Sequence, residues 1–198
     1  MNSLEVQCAE GVILHMIPYR NYDQILTVFT SQQGVLKFFC KKGKGQRYMP
    51  LTRAEFAYRE KKSELFACEE ISIVDSYVQL RNQFVHLQAG CDLIRTVSAS
   101  QVVGKAAPLV YQLLIFYLDK IPNVADAWTL ALSFRLKILK HEGMLNIESN
   151  QLDDFSTAEM ELLIILTYSQ SYLQLAPLVM TEEFKVKVIK LFLDCMHF

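Results

Sequence analysis

No run of about 18 apolar residues free of charge occurs in this chain, so a membrane-spanning helix is not expected. The first residues, Met1 to Val6, lack a basic segment leading into an apolar one, which speaks against a secretory leader. Cysteine is sparse: Cys8, Cys40, Cys68, Cys91 and Cys195 are odd in number and no two form a Cys-x-x-Cys pair. Neither a disulfide framework nor a zinc cluster is signalled, and reduced thiols in a cytoplasmic protein are expected. Catalytic patterns are equally scarce. Gly43-Lys44-Gly45 has neither the spacing nor the hydroxyl of a phosphate loop, and no Gly-x-Ser-x-Gly elbow is present. The four histidines (His15, His86, His141, His197) share no metal-ligand spacing. Asp153-Asp154 and Glu182-Glu183 read as helix-start charges that complement the dipole. An enzyme is therefore not expected, nor a cofactor or a metal.

What remains is ample core material. The 198 residues are 52% hydrophobic and 21% charged, with twelve Phe and nine Tyr, a globular balance that argues against disorder. The first part reads as five short strands. Gly11 to Ile17 is a β-branched run ended by Pro18; Gln24 to Thr30 is a second; Ser31-Gln32-Gln33-Gly34 is turn chemistry leading to Val35 to Cys40. Glu55 to Arg59 alternates, placing Phe56 and Tyr58 on one face, and Lys61-Lys62-Ser63 connects to Glu64 to Cys68. A five-stranded barrel of OB type fits this pattern, although an SH3-like barrel leaves a similar trace.

Beyond about residue 78 the apolar period becomes helical. Phe84, Leu87, Cys91, Ile94 and Val97 form a stripe. Ala107 to Ile121, apolar on most sides, reads as a central helix stopped by Pro122. Ala125 to His141 ends on basic residues before Gly143. Ser156-Thr157-Ala158-Glu159 is a capping box for a helix running to about Leu173, and Thr181 caps a last one. The expected organisation is thus an OB barrel over residues 1–77 and an all-α bundle of about five helices over residues 78–198.

Charge separates these parts. Residues 1–62 carry ten Lys/Arg against five Asp/Glu, a net of +5, while residues 63–198 carry ten against sixteen, a net of −6. Lys37, Lys41, Lys42, Lys44 and Arg47 fall in a twelve-residue run without an acid, interleaved with Phe38, Phe39 and Tyr48. Cations that neutralise phosphates beside rings that stack on bases are the chemistry of single-strand binding. The alternative is a solvated turn with core aromatics. Phe38 and Phe39 must point to opposite faces of a strand, so at most one of them faces a ligand. Candidate DNA contacts are therefore Lys37, Lys41, Lys42, Lys44, Arg47 and Tyr48, flanked by Arg20 and Arg53. Arg135, Lys137 and Lys140 are candidate partner contacts in the acidic part, with a solvated helix end as the competing reading.

Three segments then come into order: Glu10-Gly11-Val12-Ile13-Leu14, Tyr19 to Thr30, and Gly34-Val35-Leu36 followed by Lys42-Gly43. With Ala131 to Gly143 behind them, they resemble the RecO family of bacterial recombination mediators. The resemblance covers about residues 10–145 and is most specific in the first 45. It implies an OB fold ahead of a helical domain, binding to single- and double-stranded DNA, and annealing of complementary strands. It also implies partnership with RecR and with the acidic tail of single-stranded-DNA-binding protein in loading the RecA recombinase. Three departures stand out. The segment Met144 to Ser149 has no cysteine where many members carry a four-cysteine zinc module, so no zinc is expected. Gly45 to Pro50 replaces a longer basic stretch, which implies weaker DNA affinity. Arg135 stands where the family often has an acid. Two rivals are an OB scaffold that binds an acidic protein, and a nuclease holding Mg²⁺ among Glu5, Glu10, Asp23, Glu55 and Glu60.

Overall fold

The computed structural model describes residues 6–20, 22–41, 47–59, 65–147 and 152–196. Contacts divide the chain into two units, one of Met1–Val78 with Gln101–Gln112 and one of Gln79–Ser100 with Leu113–Phe198.

The first unit is a closed barrel of β1 (Val6–Tyr19), β2 (Asp23–Thr30), β3 (Gly34–Cys40), β4 (Arg53–Arg59) and β5 (Leu65–Asp75), in the order β1-β2-β3-β5-β4. All neighbours are antiparallel except β3 and β5, which run parallel. That order and parallel closure are those of an OB barrel and resolve the SH3-like alternative. Alternation builds the core: Ile13, Leu26, Val28, Leu36, Phe38, Ala54, Phe56 and Tyr58 all point inward. The Phe38 and Phe56 rings stack at 5.0 Å between centroids and 4° between planes. Each such ring contributes about 1.5–3 kcal/mol by burial.

Two strands are longer than their sequence patterns indicated. β1 continues through Pro18 to Tyr19 because its register with β4 runs from Val6 to Val12 and its later residues pair with β2. Pro18 thus lies on a strand margin where its missing N–H is not needed. β5 runs to Asp75 against β4, through Glu69-Glu70, where charge masks the alternation. A register shift between Ile13 and His15 supplies local curvature. Gly34 has φ +69°, and a Cβ there would lie 2.1 Å from the Lys105 carbonyl oxygen. Only glycine fits this turn, over which residues 101–112 return to the barrel through the Gly104 N–H donating to the Val35 carbonyl at 3.1 Å.

The helical part comprises one-turn α1 (Val78–Arg81), α2 (Phe84–Ser100), α3 (Pro108–Lys120) with a 3₁₀ turn Ile121–Asn123, α4 (Ala127–His141), α5 (Thr157–Tyr168), one-turn α6 (Tyr172–Leu175) and α7 (Glu182–Cys195). α4, rather than α3, is the helix enclosed on nearly every side, packing against α2, α5 and α7. Its buried polar residues disguise it in the sequence, and each has a partner. The Thr129 hydroxyl donates to the Leu178 carbonyl (2.9 Å), the Ser133 hydroxyl to that of Leu166 (2.6 Å), and Arg135 pairs with Asp92. The Ser156–Glu159 capping box and the Thr181 cap both form. α5 stops at Tyr168, short of Leu173, because Lys137 Nζ donates to the Thr167 and Ser169 carbonyls (3.2 and 2.5 Å) and Ser171 caps a new turn. No helix among the described residues is long and apolar enough to cross a membrane.

Candidate nucleic-acid interface

The residues that leave the core of β1, β2 and β3 form one outer face, and the strand register places them in rows. His15, Thr27 and Lys37 lie side by side, and the next row is Ile17, Ile25 and Phe39. Tyr19 and Asp23 begin the last row, at the end of the barrel where Lys41 leaves β3. His15, Lys37 and Lys41 are exposed, as are Ile17 (48%) and Tyr19 (39%). The Tyr19 and Phe39 rings meet edge to face at 5.7 Å, and the Arg20 guanidinium sits 5.4 Å from the Tyr19 ring centre. Of the two adjacent phenylalanines, Phe38 is the core residue and Phe39 the outward one.

Cations gather at one end of this face. Arg20 lies in the β1–β2 turn with φ +36°, its carbonyl accepting from the Asp23 N–H at 3.0 Å. Lys41 follows Cys40, whose register partner is Gln24. Gln24, itself buried, grips the chain coming back from the loop: the Tyr48 N–H donates to its Oε1 (3.2 Å) and its Nε2 donates to the Tyr48 carbonyl (3.4 Å). That pair of hydrogen bonds brings Arg47, exposed, to the same end as Arg20 and Lys41. Tyr48 is half-buried, its side chain packed against the barrel core. Lys42 and Lys44 lie outside the described residues.

Arg53 is placed elsewhere. Its guanidinium donates to Glu10 at 2.9 Å across the β1–β4 seam, and the Tyr111 hydroxyl donates to the other Glu10 oxygen at 2.8 Å. Burial pulls the Glu10 carboxyl upward, but those two hydrogen bonds outweigh it and hold the group below the ordinary glutamate range. Burial, then the Glu10 hydrogen bond, pushes the Tyr111 phenol well above its usual value. Beyond this network the outer side of β4 and β5 is acidic. Glu55 stands opposite Glu10, Glu70 is exposed nearby, and Arg59 is occupied by Glu69 at 2.7 Å. The outer side of β1–β2–β3 thus carries exposed Lys37 beside its rings, with Asp23 at its margin, whereas β4–β5 expose Glu55 and Glu70 and keep Arg53 and Arg59 paired with acids. Among the described residues no three carboxylate, histidine or cysteine side chains cluster as a metal site.

In the helical unit, Arg135 is 7% exposed and grips Asp92 with two hydrogen bonds, Nε at 2.9 Å and Nη2 more closely still. Its charge is directed inward. Lys137 caps α5, and its ammonium is held below the usual lysine range, by burial first and by Lys140 second. Lys140 Nζ lies 3.9 Å from the centre of the Tyr168 ring. Lys137, Lys140, Phe116, Tyr168 and Tyr172 line a groove of about 510 Å³. The sequence reading missed His15, Ile17, Tyr19 and Ile25 as face residues. Their alternation was the available signal, hidden because Pro18 looked like a strand end.

OB barrels whose outer sheets mix rings with cations include ones that track single strands. Residues 4–77 match the family model described as Recombination protein O N terminal. DNA repair protein RecO of Chlamydia pneumoniae is 25% identical over 146 residues, covering 71% of this chain and 58% of that protein. The proteins of the same name from Clostridium acetobutylicum (28% over 149 residues, 71% and 60%) and Streptococcus equi subsp. zooepidemicus (26% over 145 residues, 71% and 57%) are similar to comparable extents. The chain is thus similar to RecO proteins, the family that its first strands resemble, and the family model covers its barrel. It spans about three fifths of the length of the curated relatives it matches.

Proposed function

We propose that the chain acts in DNA repair and recombination as a non-enzymatic DNA-binding mediator, working in the cytoplasm. The β1–β2–β3 face binds single- and double-stranded DNA. Lys37, Lys41 and Arg47 neutralise phosphates together with Lys42 and Lys44, and Arg20 flanks them. Phe39 and Tyr19 supply the stacking surface, and Tyr48 anchors the loop. Arg53 contributes as a positioning residue of the β1–β4 seam. Annealing follows from charge alone, since screening two backbones lets complementary bases meet without nucleotide hydrolysis. RecR and the acidic tail of single-stranded-DNA-binding protein are the proposed partners. The groove of Lys137, Lys140 and Tyr168 suits such a tail, while Arg135 is turned to Asp92 and Phe192 and serves the fold instead.

The observation that carries this reading is the cross-strand alignment of exposed Tyr19 and half-buried Phe39 with cations on one face, away from the acids of β4 and β5. A labelled single-stranded oligonucleotide tests it, with binding and annealing both followed. Phe39→Ala is expected to weaken binding about tenfold, in keeping with about 1–3 kcal/mol per stacked base. Retained affinity would remove the face from the account. An acidic protein partner in place of DNA would show as no oligonucleotide binding at physiological salt.

A further inference from the structure

We propose that Cys40 and Cys68 form a reversible disulfide, driven by a peroxide, that bolts β3 to β5 at the root of the basic loop. The two are direct register partners on the parallel β3–β5 ladder. Both side chains face the interior: Cys40 belongs to the buried core, and Cys68 packs against that core while remaining partly exposed. Partners on neighbouring strands lie about 4.8 Å apart, inside the window of about 4.4–6.8 Å between the α-carbons of disulfide-linked residues. The strand spacing is therefore compatible with the bond. Cys8, Cys91 and Cys195 occupy other elements, on β1, α2 and α7.

The pair is also chemically uneven. The neighbouring Cys68 sulfur, then burial, pushes the Cys40 thiol up, while the neighbouring Cys40 holds the Cys68 thiol below the usual cysteine range. Cys68 is the sulfur that solvent can reach, so it attacks first. The Cys68 thiolate displaces hydroxide from hydrogen peroxide and becomes a sulfenic acid. The hydroxide takes the Cys40 proton, giving water. The Cys40 sulfur then attacks the Cys68 sulfur and expels a second hydroxide, which leaves as water on taking a proton from solvent. Two thiols and one peroxide become one disulfide and two waters. A small dithiol reverses the step.

The position gives the bond a consequence. Cys40 immediately precedes Lys41 and pairs with Gln24, the residue that holds the returning Tyr48 backbone. A covalent tie there fixes the outgoing root of the basic loop to β5, beside the β2 residue Gln24 that holds the returning root. The bond itself does not depend on what the face binds.

The test uses the full chain carrying Cys8→Ser, which removes the exposed thiol and leaves four of the five cysteines. The protein is exposed to dilute hydrogen peroxide, quenched, denatured and assayed for thiols, and non-reduced peptides are mapped by mass. The expected result is a fall from four thiols to two, with one linked peptide pair containing Cys40 and Cys68, restored by dithiothreitol. Adding Cys68→Ser, a partly exposed site that tolerates the change, is expected to leave all the remaining thiols free. Four thiols after treatment, a bond to Cys91 or Cys195, or Cys68 oxidised to sulfinic acid without a link would each overturn the proposal.

Discussion

Separating Arg135 from Asp92 tests how the helical unit is held together. Both are buried, at 7% and 4% exposure, and the guanidinium forms a two-pronged contact with the carboxylate while lying 5.2 Å from the Phe192 ring centre. Removing one partner from such a pair leaves an uncompensated charge in the interior and costs about 3–5 kcal/mol. Asp92→Leu, which strands the guanidinium, is expected near the top of that range. Arg135→Met, which strands the carboxylate, is expected within the same range. The double variant replaces the pair by apolar volume and is expected within about 1 kcal/mol of the parent. Urea unfolding followed by Trp128, the single tryptophan and a residue of α4, reports this unit. With a slope of about 2.5 kcal/mol per M, a loss of 4 kcal/mol moves the midpoint by about 1.6 M. Single variants costing less than about 1 kcal/mol, or a double variant costing the sum of both, would refute the reasoning. Either outcome would also return Arg135 to the surface as an independent partner contact.

Three further outcomes follow from local geometry. Gly34→Ala meets both a left-handed backbone and the Lys105 carbonyl, and is expected to cost more than about 2 kcal/mol in thermal or chemical unfolding of the barrel. The folded Glu10 group lies below its unfolded value, so its contribution is fully present above about pH 4.3 and disappears as pH falls through the lowered folded value. Glu10→Gln is therefore expected to flatten the loss of barrel stability below pH 4.3 in an acid titration, and an unchanged acid limb would contradict this. Ser156→Ala breaks the capping box and is expected to cost about 1 kcal/mol, read as a shift in the urea midpoint of the helical unit.

The barrel was legible because its strands alternate cleanly: Phe56 and Tyr58, or Phe38 against Phe39, declare inside and outside by position alone. The caps at Ser156 and Thr181 were legible because capping is a local contact between side chain and backbone. Long-range pairing hid the rest. Nothing local reveals that Pro18 lies beyond the β4 register, that Lys137 ends α5 by taking its carbonyls, or that Arg135 points inward to Asp92, 43 residues away. The basic run borders the outer face of β1–β2–β3, but charge counting could not separate Lys37 and Lys41, which are exposed, from Arg53, which serves Glu10 on another seam. Only the register brought Tyr19 beside Phe39.

The central claim is that one barrel face holds a polynucleotide by its phosphates, and the salt dependence of oligonucleotide affinity tests it most directly. Each phosphate contact to a single strand contributes about 0.7 to the slope of log affinity against log salt. Lys37→Ala with Lys41→Ala is expected to flatten that slope by about 1.4, while Lys190→Ala on α7 leaves it unchanged. A slope that ignores the barrel lysines, or that follows Lys190 equally, would contradict the account.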